Sequence, residues 1–207
     1  MVHAVRKHGT INKAGLFQPL FILDIEVYEK KGRDIQQVKE IKNGYPYQSI
    51  PFEIQKSAQA MFLAEILYKT LREEEPNSQL FGFLENSLKK FDVMEKGKNY
   101  FHLHFLSRLT EYLGILPEIS LGEQGSWFDM KKGELVYSEP SHPFFMNQEM
   151  TKLLGSFLIV EANELNTINI TKQQKNLLLT QLIDYYHIHF ENLGSIKSLP
   201  VLKEIFR

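Results

Sequence analysis

The chain has 207 residues, with 24 Lys+Arg against 25 Asp+Glu, seven His and no Cys. Its 43% hydrophobic and 24% charged residues suit one or two globular domains and exclude intrinsic disorder or a low-complexity body. The missing Cys exclude disulfides, thiolate zinc sites, iron–sulfur clusters and Cys nucleophiles, and no apolar run reaches the ~18–20 residues that span a bilayer.

The opening MVHAVRKHGT lacks a signal-peptide core, so a cytoplasmic protein is expected. The formal charge of −1 conceals an asymmetry. Residues 1–42 hold eight Lys/Arg and five acids, a net of +3; the remainder holds 16 against 20, a net of −4.

Taken in chain order, Met1–Lys7 alternates weakly and reads as a strand, and HGTINKAG reads as a loop. In LFILDIEVY (20–28), Phe21, Leu23, Ile25 and Val27 fall on one side, with Asp24, Glu26 and Tyr28 on the other, as in a half-buried strand. The turn at 30–34 leads into a returning strand over 35–41, which makes a hairpin. Beyond Asn43-Gly44 the period changes. A helix is expected from Pro51 to near Glu75, carrying Phe52, Ile54, Ala58, Met61, Phe62, Ile66 and Leu67 at helical spacing. Pro76 would end it. A second helix, capped by Asn77 or Ser78, takes in Leu80, Phe81, Leu84, Leu88 and Phe91. A third runs from about Asn99 to Leu113 and closes at Gly114. Residues 116–146 read as an irregular segment with a small hairpin around Lys131-Lys132-Gly133. Helices return at about 147–160, 171–191, where Thr171 is the cap, and 199–206.

No motif supports an enzyme: GxxxxGKS/T, GxSxG and HExxH are all missing, and no GxGxxG precedes a βαβ pattern. The pairs His102/His104 and His187/His189 lie on helices, where two residues separate side chains by about 200°. One His of each pair is expected in or near the core and the other exposed, with no metal. Glu65 reads as a structural partner. Arg6, Lys7, His8 and Lys13, spaced by small residues, suit phosphate contact, and Tyr28 suits base stacking. The same segment also reads as a solvated loop, with Phe17 and Phe21 in a core; residues alone leave both open.

The succession of segments resembles the RecO family of recombination mediators, in wording closest to members from the Bacteroidetes group. At the front, Arg6-Lys7-x-Gly9-x-x-x-Lys13 and Leu16-Phe17-Gln18-Pro19-Leu20 precede the hairpin. Ala64-Glu65-Ile66-Leu67, Glu74-x-Pro76-Asn77 and Leu80-Phe81 resemble the start of the family's helical domain. Phe105-Leu106, Leu113-Gly114-Ile115-Leu116-Pro117, Phe128-Asp129 and Gly133 match the zinc-loop region. Tyr185-Tyr186-His187-x-His189 and Ile196-Lys197-Ser198-Leu199-x-Val201-Leu202 match the closing helices.

This resemblance implies an α+β protein: a partial OB-fold-like DNA-binding unit over 1–48, then a mainly helical domain over 49–207 with the irregular insert. It implies binding of single- and double-stranded DNA, strand annealing and RecA loading with RecR, and engagement of the C-terminal tail of single-stranded-DNA-binding protein. It implies a cytoplasmic, nucleoid-associated protein without cofactor, membrane contact or covalent chemistry. Family DNA contacts map onto Arg6, Lys7 and Lys13; charge and position add His8, Lys30, Lys31 and Arg33. A hydrophobic, partly basic pocket for the partner's acidic tail is expected among the helices. The alternative is a helical protein-interaction scaffold without strong DNA binding.

Two departures stand out. Many members hold a structural zinc on four Cys, whereas 116–146 has none, so Trp127, Phe128, Val136, Tyr137 and Phe144 are expected to hold the loop by packing. The family's front domain is a five-stranded OB-fold, yet at most three strands precede Pro51. The opening strands are therefore expected to be missing, through a misassigned start or a truncation.

Overall fold

A computed structural model describes residues 13–30, 32, 35–71, 76–119 and 126–206. A short 3-10 turn at Lys13–Leu16 precedes strands β1 (Leu23–Tyr28) and β2 (Gln37–Asn43). Helices α1 (Ile54–Thr70), α2 (Ser78–Val93) and α3 (Phe101–Tyr112) follow. Then come three short strands, β3 (Trp127–Asp129), β4 (Glu134–Val136) and β5 (Phe145–Met146). Helix α4 (Gln148–Ile159), a 3-10 segment (Ala162–Thr167), α5 (Lys172–His189) and α6 (Leu199–Ile205) complete an α+β architecture, strands first and helices after.

Strands β1 and β2 pair antiparallel, with Ile25 opposite Ile41 and Asp24 opposite Lys42. A bulge between Glu26 and Val27 shifts the register. The hairpin is less buried than its alternation predicts: Ile25 is 49% and Val27 47% exposed. The returning strand starts at Gln37, leaving Ile35 exposed in the connection. The expected strand at Met1–Lys7 lies outside the described residues.

Helix α3 forms the centre. Phe101, Leu103, Phe105, Leu106 and Leu109 are all buried, and the helix packs against α1, α2, α4 and α5. A helix surrounded on all sides must satisfy its polar groups internally. Ser107 Oγ donates to the Leu103 carbonyl and Thr110 Oγ1 to that of Ser107. The rings of Phe91 and Phe101 stack 3.9 Å apart, worth about 0.5–1.5 kcal/mol beyond burial. Surrounding α3 also corrects the expectation for its histidines: both His102 and His104 are buried. In the other pair His187 is exposed, while His189 packs edge-on to Tyr185, as the helical spacing predicts.

Caps set the helix starts. Asn77 accepts from Leu80 N–H, Asn147 from Met150 N–H, and Thr171 forms a reciprocal capping box with Gln174. Helix α1 is shorter than expected. Leu71 turns to extended geometry while its N–H still reaches the Leu67 carbonyl, so the helix ends at Thr70, before Pro76 can act. Gly114 closes α3 with φ of +72°, a left-handed geometry costly for other residues.

The insert is more ordered than its composition suggests. It holds a three-stranded antiparallel sheet in the order β4-β3-β5, with Gly133 (φ +75°) turning the central hairpin. Phe128, Met130 and Met146 are buried and anchor it. Of the expected packing residues, Trp127 meets Phe145 edge-on at 5.2 Å, but Tyr137 is 82% exposed and Phe144 is only partly covered. Phe128, in the central strand, packs on Tyr185 of α5, whereas Tyr137 and Phe144 lie just outside β4 and β5.

Candidate nucleic-acid interface and partner groove

Of the basic front-end candidates, Arg6, Lys7, His8, Lys31 and Arg33 lie outside the described residues. Lys13 opens the first 3-10 turn, and its side chain also lies outside them. Lys30 is exposed at the hairpin tip. Gln36 fixes that tip: its Oε1 accepts the Lys30 N–H at 2.8 Å, and its Nε2 donates to the Lys30 carbonyl at 3.2 Å.

The strands themselves carry both signs of charge, Lys39 and Lys42 against Asp24, Glu26 and Glu40. Lys39 pairs with Glu26, and Lys42 with Glu40 at 2.9 Å. The Glu40 carboxylate raises the Lys42 pKa through a hydrogen bond and charge. Two cations of the +3 front end are thus matched locally, which charge counting could not reveal. Tyr28 is half exposed, with Lys39 Nζ 6.0 Å from its ring centre, and it remains open to a stacking partner. Phe21 instead packs edge-on against Tyr47 at 5.6 Å, a packing role, and Phe17 stays partly exposed.

A polar knot holds this unit on the helices. Asp92, near the end of α2, accepts the backbone N–H of Gln48 and Ser49 at 2.8 Å each and that of Ile50 at 3.0 Å. Burial alone would raise its pKa, but these N–H groups and the Ser49 hydroxyl together lower it. Lys56 is fully buried; its Nζ donates to Ser49 Oγ at 2.6 Å and to the Asp92 carbonyl at 2.7 Å. It also lies 3.6 Å from the Glu53 carboxylate. The Tyr47 hydroxyl donates to the Leu20 carbonyl at 2.8 Å, tying the start of the hairpin to its exit. Sequence reasoning missed this knot, because Lys56 and Asp92 are individually ordinary residues of surface type.

A groove of about 510 Å³ opens between α2, α3 and the turn after α4. Its apolar wall is Phe83, stacked on Tyr112 at 4.5 Å. Gly82 borders open space: a Cβ there would meet nothing within 4 Å. Arg108 lines it, with Nη1 donating to the Leu158 carbonyl at 2.7 Å and Nη2 3.5 Å from Glu111. Lys90 stands at the rim, 3.7 Å from Glu161. His104 Nδ1 donates to the Phe157 carbonyl at 3.2 Å. Burial brings its pKa down to about 4 against a smaller upward pull from that carbonyl, so the ring is neutral near pH 7. The fixed cations are therefore Arg108 and Lys90. Both are paired with acids of the same lining, Glu111 and Glu161, so an anionic group entering beside the apolar rings would have to exchange with those carboxylates.

Buried titratable groups elsewhere serve structure. His102 Nδ1 donates to Gln59 Oε1 at 2.9 Å, and burial, then the Lys175 charge, lowers its pKa to about 3. Glu65 accepts from Lys197 N–H, Ser198 N–H and the Ser198 hydroxyl, as its reading as a structural partner predicts. Asp129 accepts from Lys131 N–H and from His142 Nε2. Among the described residues no group of three His, Asp or Glu is arranged to hold a metal ion, and no helix is long and apolar enough to cross a membrane.

Comparison with known proteins covers the same ground. The family model for the recombination protein O C terminal matches residues 51–200. The DNA repair protein RecO of Phocaeicola vulgatus is 33% identical over 206 residues, covering 100% of this chain and 86% of that protein. The DNA repair protein RecO of Flavobacterium johnsoniae is 37% identical over 195 residues, covering 94% and 80%. That of Flavobacterium psychrophilum is 36% identical over 195 residues with the same coverage.

Proposed function

Since this chain belongs to the RecO family, we propose that it is a DNA-binding recombination mediator in DNA repair, acting by binding and remodelling without covalent chemistry. The observation that carries this is the match to DNA repair proteins along the entire chain, front end included. The front unit, residues 1–48, contacts single- and double-stranded DNA through Arg6, Lys7, His8, Lys13, Lys30, Lys31 and Arg33. Lys30, exposed at the tip, supports this assignment. The helical part, 49–207, carries partner contacts. The groove between Phe83, Tyr112, Arg108 and Lys90 takes the acidic C-terminal tail of single-stranded-DNA-binding protein: Phe83 and Tyr112 cover its apolar side chains, and its carboxylates replace Glu111 and Glu161 as partners of Arg108 and Lys90. With RecR the protein assists annealing and RecA loading, in the cytoplasm at the nucleoid.

One observation favours a second reading, a helical scaffold without strong DNA binding: the hairpin cations Lys39 and Lys42 are neutralised by acids of the same unit. Fluorescence anisotropy with labelled single-stranded DNA separates the two. Affinity should fall linearly in log–log form between about 50 and 200 mM salt, with a slope of roughly −0.7 per phosphate neutralised. Lys30→Ala should flatten that slope by about one contact. Undetectable binding at the lowest salt would instead support the scaffold.

A further inference from the structure

Helix α1 is inverted in its use of charge. It has three charged residues, and all are committed to the fold. Lys56 is buried in the knot with Asp92. Glu65 holds the N–H groups of Lys197 and Ser198. Lys69 Nζ donates to the carbonyls of Leu193 at 2.9 Å and Ser195 at 2.6 Å. The outward positions are Ile54, Ser57, Met61 and Tyr68, with Ala64 half-buried among them. Ile54 is 73%, Met61 40% and Tyr68 87% exposed, and Phe52, just before the helix, is 79% exposed. A surface helix ordinarily turns charge to water and apolar residues inward. Here the solvent face carries no charge at all.

The spacing of that face is 3, 4, 3, 4, the seam of a helix pair. It is also symmetric: Ile54 and Tyr68 each lie seven residues from Met61. We propose that this face is the contact between two copies of this chain, with the two α1 helices antiparallel about a two-fold axis at Met61. In that arrangement Ile54 meets the partner's Tyr68, Met61 meets its own copy, and the small residues Ser57 and Ala64 oppose each other and let the backbones approach. A two-fold contact requires such a self-complementary patch. The uncharged strip offers nothing to steer an oppositely charged partner.

The area agrees with a second copy. An aromatic side chain presents roughly 150–250 Å², so Phe52 and Tyr68 with Ile54 and Met61 offer on the order of 500 Å² per chain. Two copies then bury about 1,000 Å², where specific interfaces begin. Interfaces at that lower limit of size belong to weak, transient contacts, so the dimer is sought at about 10–100 µM chain.

Sedimentation of the full chain tests this. The wild type should pass from 24.2 kDa towards twice that mass as its concentration rises through that range. Met61→Glu, with an unchanged circular dichroism spectrum, should stay monomeric. The chain has no Cys, so crosslinks report position directly. Met61→Cys should form a disulfide dimer on oxidation. Ile54→Cys should not crosslink to itself, its copy lying about 21 Å away along the helix, but should crosslink to Tyr68→Cys. A wild type monomeric at about 100 µM, a dimer indifferent to Met61→Glu, or self-crosslinking of Ile54→Cys would overturn the proposal. A complex formed only with a different protein would overturn it too.

Discussion

Replacing Asp92 by Ala removes the acceptor for three consecutive backbone N–H groups and tests how the front unit is held. The Ile50 N–H is buried, and stranding it costs about 1–3 kcal/mol. The Ser49 N–H is partly reached by water, so its loss is nearer the net value of about 0.5–1.5 kcal/mol. Gln48 is exposed and recruits water at little cost. The Asp92 carbonyl that receives Lys56 survives the substitution. Asp92→Ala should therefore cost about 2–4 kcal/mol, a large share of the ~5–15 kcal/mol of a typical domain. Asp92→Asn keeps one oxygen for Ser49 and Ile50 and should cost about half as much. Urea unfolding followed by circular dichroism gives the free energies, and amide exchange at 48–50 gives the location. A loss below about 0.5 kcal/mol for Asp92→Ala, or an Ile50 amide that exchanges no faster, would refute the reasoning. The Asp92 pKa is depressed in the fold, so its contribution is complete above the unfolded value of about 3.9 and is lost as pH falls through the lower folded value. Asp92→Asn should remove that part of the acid dependence.

Three further expectations follow from the same contacts. Burial opposes ionisation of Glu65, but the Ser198 hydroxyl and the N–H groups of Lys197 and Ser198, with Lys69, bring its pKa down to about 2. Its stabilisation is complete above about 4.3 and fades towards pH 2; Glu65→Gln should speed exchange at Lys197 and Ser198 at neutral pH, and unchanged protection there would contradict the assignment. His102 and His104, with values of about 3 and about 4, should show flat imidazole proton shifts in NMR from pH 5 to 8; a midpoint inside that window would show that the core around α3 admits water. Phe128→Ala should cost about 3–5 kcal/mol, whereas Tyr137→Ala should stay within about 0.5; equal costs in urea unfolding would mean that the insert is not anchored through Phe128.

Much of this architecture could be read from local chemistry. Asn77 and Thr171 marked helix starts, Gly114 marked an end, and Lys131-Lys132-Gly133 marked a turn, because caps and turns depend on a few adjacent residues. The face that each helix buries was harder to read. Phe52, Ile54 and Met61 keep helical spacing with Phe62 and Ile66, yet they point outward, since periodicity gives the period and tertiary packing chooses the face. Residues 102 and 104 of a helix ordinarily face opposite ways, but α3 is enclosed on both sides. The groove and the knot joined residues far apart in sequence, Arg108 with Leu158 and Lys56 with Asp92, so nothing local announced them. Pairing of Lys39 with Glu26 likewise depended on the register set by the bulge.

The most direct test of the mediator reading is annealing of two complementary DNA strands, each coated with single-stranded-DNA-binding protein, followed by fluorescence quenching. The wild-type chain should accelerate annealing severalfold, and Arg108→Ala should lose that acceleration on coated strands while retaining it on bare ones. No acceleration by the wild type on either substrate would contradict the account.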